Sequence, residues 1–252
     1  MNNVNRRYIF LLTILLVTSL LGFAQERKVQ NKPYIDLRPL HFGILIGTHL
    51  QDLEFENVGL QTLVDEDGIV SEHLIVADAD TWNPGFSVGV LAELRLHENF
   101  ALRFTPSMYF GAKHLTFLNL TNISEDGRIH KVTQDLKNTY IGLPVNIKFS
   151  APRWNNYRPF ISAGVSGMIN LTSGGEDYIS LKRFGSMAEV GVGCDFYLPF
   201  FKIIPELKFC YGLGNSLDTN HVNELRDTNR RAYAGSVSHA QSKMIMLSFY
   251  FE

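Results

Sequence analysis

Cysteine is scarce in this chain: Cys194 and Cys210 are the only two in 252 residues. A fold held by a disulfide framework is therefore excluded. On a strand, Cys194 shares a face with Val190 and Val192, while Cys210 shares one with Glu206 and Lys208. The two thiols then point to opposite sides of neighbouring strands and are expected to be free. Charge of one sign is also lacking. Lys and Arg number 23 against 25 Asp and Glu, for a net charge of −2. That excludes a general basic surface for nucleic acid. Beyond the N-terminus no run approaches 18 consecutive apolar residues, so a helical membrane crossing is excluded there. The eight histidines show no metal-ligand spacing. No phosphate loop and no Cys-x-x-Cys occur, and no cofactor or metal is expected.

What is present begins with a leader. Arg6 and Arg7 supply a basic n-region, residues 8–21 an apolar h-region, and Gly22 and Ala24 the small residues a signal peptidase reads. Cleavage is expected between Ala24 and Gln25 after Sec export, with an uncleaved anchor helix as the alternative. The domains expected are 1–24 signal peptide, 25–36 periplasmic N-terminal segment and 37–252 barrel.

The remainder has a beat. Short connections at 97–99, 152–157 and 199–202 alternate with long polar ones at 51–83, 119–134, 172–183 and 215–241. The segments between them read apolar and polar at period two. Tight turns at one end and wide loops at the other are the habit of an up-and-down antiparallel barrel, and of outer-membrane barrels in particular. Eight strands are expected: 41–50, 85–97, 100–118, 135–151, 158–171, 184–198, 203–214 and 242–251. Pieces at 58–64 and 73–77 read as a hairpin above the membrane, with a ten-stranded barrel as the alternative. Pro106, Pro144 and Pro205 fall inside strands and require bulges or ends of pairing. Aromatics near the short turns (Phe100, Phe149, Trp154, Tyr157, Phe160, Phe196, Tyr197, Phe200, Phe201, Phe249 and Phe251) read as an interfacial girdle.

The two strand faces decide between a soluble barrel and a membrane barrel. One face of 140–151 reads Ile141, Leu143, Val145, Ile147, Phe149; the other reads Tyr140, Gly142, Pro144, Asn146, Lys148. The polar faces combine glycine with charge, which suits a crowded lumen better than a surface facing bulk water. The apolar faces are therefore expected to meet lipid, and the soluble lipocalin-like or sandwich reading is disfavoured. Inward charges balance: Glu93, Glu189, Asp195 and Glu206 against Arg95, Arg103, Lys148 and Lys208. They are expected to fill the lumen as a structural network, with Glu93 across from Arg103. No open pore is expected at this barrel size.

Several stretches carry a resemblance. They are His41-Phe42-Gly43-Ile44-Leu45-Ile46-Gly47, Tyr140-Ile141-Gly142-Leu143-Pro144-Val145-Asn146-Ile147-Lys148-Phe149, Arg158-Pro159-Phe160-Ile161-Ser162-Ala163-Gly164, and Pro205-Glu206-Leu207-Lys208-Phe209-Cys210-Tyr211-Gly212-Leu213. Together they resemble small outer-membrane barrels of the PorT type. The resemblance implies a non-enzymatic role in type IX protein secretion, by assembly or support of the outer-membrane translocon, with possible linkage to gliding motility. It implies protein partners in a secretion complex, with outer-membrane lipid and lipopolysaccharide around the wall. A passive structural or adhesive barrel is the alternative.

Candidate surfaces lie in the long connections. The first carries Asp52, Glu54, Glu56, Asp65, Glu66, Asp67, Glu72, Asp78 and Asp80 with no Lys or Arg, a surface for cations or a basic partner, or a solvated loop. The last carries Arg226, Arg230 and Arg231 beside Asp218, Glu224 and Asp227. His114 is the one candidate for a lipid A-modifying hydrolase, and no Ser/His/carboxylate spacing accompanies it.

Overall fold

The computed structural model describes residues 29–64, 68–79, 81–123, 129–172 and 177–252. The expected signal peptide and its cleavage point between Ala24 and Gln25 lie outside these residues, as do Asp65, Glu66, Asp67 and Asp80. Among the described residues eleven strands form: β1 Leu40–Asn57, β2 Leu60–Val64, β3 Val70–Asp78, β4 Asn83–Arg95, β5 Phe100–Phe104, β6 Ser107–Ile123, β7 Ile129–Ser150, β8 Tyr157–Asn170, β9 Phe184–Tyr197, β10 Lys202–Gly212 and β11 Val237–Phe251. Two short helices, α1 His221–Glu224 and α2 Thr228–Gly235, lie in the last long connection.

All pairings are antiparallel and the sheet closes. β1 pairs with β11, the order continues through β10, β9, β8 and β7, and β4 returns to β1 from Leu40↔Leu94 to Gln51↔Asn83. Closure removes open edges from the wall, as a lipid environment requires. The count is eleven strands where eight were expected, for two physical reasons. Pro106 cannot donate to a ladder, so the third stave breaks into β5 and β6, both lying between β4 and β7. The hairpin β2–β3 adds two more, and β3 docks on the upper part of β6.

The prolines are accommodated without bulges. Across the break, Phe104↔Val145 and Ser107↔Gly142 keep one register. Pro144 pairs with Ser166 in an unbroken run, and Pro205 sits where the β9–β10 ladder skips from Ile203↔Phe196 to Glu206↔Gly193. Among the described residues the register shifts lie elsewhere, at Glu56/Asn57 and between Asn119 and Ile123.

Side-chain exposure assigns the faces. On the outer wall Val190 is 61% exposed, Val192 53%, Ile161 56% and Ile147 54%, while Lys148, Asp195 and Glu206 are buried inside. The glycines follow the same logic. A Cβ on Gly193 would meet the Phe160 ring at 2.4 Å, and one on Gly191 would meet Ser162 Oγ at 2.6 Å. Both positions lie on the inner face of β9, where the lumen is too narrow for larger residues. Two members of the expected girdle belong inside for the same reason: Phe160 and Tyr197 are buried, because their parity on β8 and β9 points inward. The far end of the apolar band has aromatics too, with Phe86 and Phe110 stacked at 4.8 Å on the outer wall.

The strands run further past the band than expected. β1 continues to Asn57, β7 begins at Ile129 and β11 at Val237, so much of the expected polar connections is sheet. Along these extensions polarity reverses. The outward positions of β7 read Ile147, Val145, Leu143, Ile141, then Lys137, Asp135 and Lys131; the inward ones turn from Lys148 and Asn146 to Leu136. Above the band water surrounds the wall, so its apolar face turns inward as in a soluble barrel.

Candidate functional site

Inside the short-turn half, the charged side chains form one network. Glu93 of β4 and Arg103 of β5 are register partners. Arg103 donates from Nε at 3.0 Å and Nη2 at 2.9 Å to Glu93 Oε2, and from Nη1 at 3.0 Å to Glu206 Oε2 of β10. Its guanidinium lies between the rings of Phe160 and Tyr250, 5.0 and 4.8 Å from their centroids. Lys148 Nζ reaches both Asp195 oxygens at 2.8 and 2.9 Å and Glu93 at 3.4 Å. Lys208 Nζ lies 3.2 Å from Glu189 and 4.0 Å from Glu206. Ser162 Oγ donates to Glu206 Oε1 at 2.5 Å, and Asn146 Nδ2 to Glu189 at 3.1 Å. Ions this far from water are tolerable only when each finds opposite charge and hydrogen bonds.

Seven of the eight expected network residues thus meet. Arg95 does not. It is half-buried at the short-turn rim, where its Nη1 lies 3.5 Å from the Leu37 carbonyl. Its position on the last residue of β4 puts the long side chain within reach of the rim backbone.

The sequence reading missed a second cluster at that rim. Lys202 Nζ lies 2.5 Å from Glu252, and Glu252 also bonds His41 Nδ1. Inward parity runs Lys202, Ile204, Glu206, Lys208 along β10, and that signal would have found Lys202. The N-terminal residues also pack here: Tyr197 OH donates to Asp36 at 2.7 Å, and Arg153 stacks on the Tyr197 ring at 3.5 Å while donating to the Asn31 and Lys32 carbonyls.

Above the charges lies a layer of Tyr109, Tyr140, Met168, Met187, Cys210, Met244 and Met246. Both cysteines are free, Cys210 in this layer and Cys194 partly exposed. Higher still, the long connections fold into the barrel mouth. Ile179, Leu181, Leu217 and Tyr233 pack among Leu53, Ile75, Leu115, Phe117 and Leu136. Polar ties hold them: Gln134 exchanges two 3.1 Å bonds with the Ile179 backbone, and Asn229 of α2 bonds both Val64 N at 3.0 Å and Val64 O at 2.8 Å.

The acidic residues do not form one cluster among the described residues. Asp52, Glu54 and Glu56 alternate along the strand extension of β1 rather than in a loop, because that segment pairs with β11. Glu54 is paired with Lys243 at 2.7 Å. Glu72 and Asp78 are exposed on β3. Among the described residues no group of three or more His, Cys, Asp or Glu is arranged to hold a metal. In the last connection Arg230 lies 3.8 Å from Asp227, and Arg231 Nε donates to the Leu225 carbonyl at 2.5 Å. His114 bonds Asp135 at 2.5 Å on the outer face, and among the described residues no serine hydroxyl lies within hydrogen-bond reach of it.

A closed antiparallel barrel with an apolar outer wall and a filled, charged lumen is the architecture of an outer-membrane protein. The family described as outer membrane protein beta-barrel domain matches residues 23–218, and the chain belongs to it. It is a protein of the outer membrane. No curated protein matches the chain. Solved structures similar to it include Neisserial surface protein A (10% identity, 84% of this chain and 98% of that one, TM-score 0.39). OprG from Pseudomonas aeruginosa is similar at 9% identity, 89% and 96% coverage and TM-score 0.39. The outer membrane protease OmpT from Escherichia coli is similar at 12% identity, 84% and 95% coverage and TM-score 0.39. These likenesses carry over neither residues nor activities.

Proposed function

We propose that this barrel is a sealed, non-enzymatic component of the outer membrane that supports the type IX secretion translocon. The observation that carries the sealed, supporting role is the doubly filled lumen: an ion-pair network below and an apolar core above. Such an interior favours a scaffold over a conduit. The link to type IX secretion is supported by the strand motifs around Tyr140 and Pro205 and by the His41-Phe42-Gly43 opening, through their resemblance to PorT-type barrels. Its partners would be outer-membrane lipid and lipopolysaccharide around the wall and proteins of the secretion complex at its ends.

Gene deletion tests this reading. Cargo bearing C-terminal sorting domains is expected to accumulate in the periplasm and to be released again on complementation. Normal export in the deletion strain would overturn it. Intact secretion with altered surface binding or permeability would favour the passive barrel instead. A change in lipid A mass that a His114→Ala variant abolishes would favour an enzyme.

A further inference from the structure

The wall of the barrel has a gap. The β9–β10 ladder ends at Met187↔Gly212, followed by one bond from Leu213 N to Ser186 O at 2.9 Å. The two segments next meet at Lys182 N→Ser216 O, 2.8 Å, and at the Leu181↔Leu217 bridge. Among the described residues no backbone hydrogen bond joins 183–185 to 214–215. Behind the gap lies a cavity of about 50 Å³ that extends into the barrel. Gly185 has the inward parity of Met187, yet a Cβ built on it meets nothing within 4 Å.

The cavity combines two chemistries. Its walls are Tyr140, Met168, Met187 and Met244, all buried, with Phe184 at the mouth 69% exposed on the outer wall. Lys113, 3% exposed, also lines it. Unlike Arg103, Lys148, Lys202 and Lys208, Lys113 has no carboxylate within ion-pair distance among the described residues. Its ammonium has Ser242 Oγ at 3.3 Å and the Tyr140 ring at 5.7 Å. A buried ammonium with only neutral groups in contact, and Asp52 attracting it from beyond ion-pair distance, is costly, and an anion beside it would relieve that cost. Lys182, Arg183 and Lys243 also line the site. The mouth sits where the outer wall changes from apolar to polar: Phe184 is register partner of Ile169, one step from the level of Tyr140.

We infer that this opening is a lateral binding site for a single-chain fatty acid entering from the membrane, its carboxylate on Lys113 and its first methylenes against Met168, Met187 and Met244. The volume admits a carboxylate and the start of a chain, so the rest of the chain leaves past Phe184 into lipid. The flexible thioethers suit an alkyl chain of no fixed shape. This site is independent of the secretion reading.

The test uses the full folded barrel in zwitterionic detergent with [1-13C]palmitate and methyl [1-13C]palmitate as probes. Saturable, one-to-one binding of palmitate is expected, with the ester at least about tenfold weaker because it lacks the charge that Lys113 would meet. Lys113→Met should weaken palmitate by about tenfold or more and leave the ester unchanged. Gly185→Trp, on the open mouth, should block both probes; it decides the matter if Lys113→Met fails to fold. Absence of saturable palmitate binding, equal affinity for acid and ester, or unchanged binding in both variants would each overturn the site.

Discussion

Glu93 and Arg103 face each other in register across the 96–99 turn and meet at 2.9 Å inside the wall. Arg103 also holds Glu206 at 3.0 Å, so one guanidinium ties β4 and β5 to the far side of the barrel at β10. Replacing Arg103 by Met removes the cation that Glu93 and Glu206 share and leaves them only Lys148 at 3.4 Å and Lys208 at 4.0 Å. The expected loss is about 3–5 kcal/mol. Arg103→Lys keeps the charge but not the fork, and should lose less. Urea unfolding from lipid vesicles measures both; a wild-type midpoint for Arg103→Met would show that the network does not hold the barrel.

Phe117 is fully buried in the upper core and meets Tyr233 edge-on at 5.8 Å. Phe117→Ala should cost about 3–5 kcal/mol. The damage should be local, since the membrane half has its own network. The expected result is faster proteolysis within the long connections of the embedded protein, with the membrane-spanning fragment still protected.

The outer wall should respond to charge by depth. Val190→Arg, in the apolar band, is expected to cost about 2–4 kcal/mol, whereas an Arg placed at Thr133, high on β7, should cost about 1 or less. Comparing the two unfolding midpoints in vesicles checks this; equal costs would contradict the assignment of the band.

Glu252 lies one residue past β11, at the short-turn rim. Burial pushes its carboxyl up, but the bond to His41 and the charge of Lys202 outweigh this and hold it below its ordinary 4.5. A carboxylate depressed in the folded state stabilises above its unfolded pKa, and that stabilisation is lost as pH falls through the folded value. The stability difference between wild type and Glu252→Gln should therefore be full at pH 7 and shrink progressively below about pH 4.5. A difference independent of pH would show that the rim pair does not titrate as an ion pair.

The lower half was legible because lipid outside and a narrow lumen inside impose a strict period of two. Parity alone placed Glu93, Arg103, Lys148, Glu189, Asp195, Glu206 and Lys208 on one side. The upper half was not, because the same parity continues while its meaning reverses. Leu53, Leu136 and Phe117 keep the inward phase of their strands, but Asp52 and Glu54 on either side of Leu53 read as polar loop. The split at Pro106 changed the strand count without changing register, which a sequence cannot reveal. Lys202 and Glu252 were missed because they stand at a turn and a terminus. Lys113 was missed because its lack of a carboxylate partner exists only in the folded barrel.

The reversal of polarity along a single strand is the centre of this account, and a cysteine scan of β7 tests it most directly. With Cys194 and Cys210 replaced, single cysteines at 131, 133, 135, 137, 141, 143, 145 and 147 would be probed in vesicles with a water-soluble maleimide and a lipid-borne quencher. Positions 141–147 should resist the maleimide and contact the quencher, and positions 131–137 should do the opposite. Maleimide reaction at 143, 145 and 147, with no contact to lipid, would contradict it.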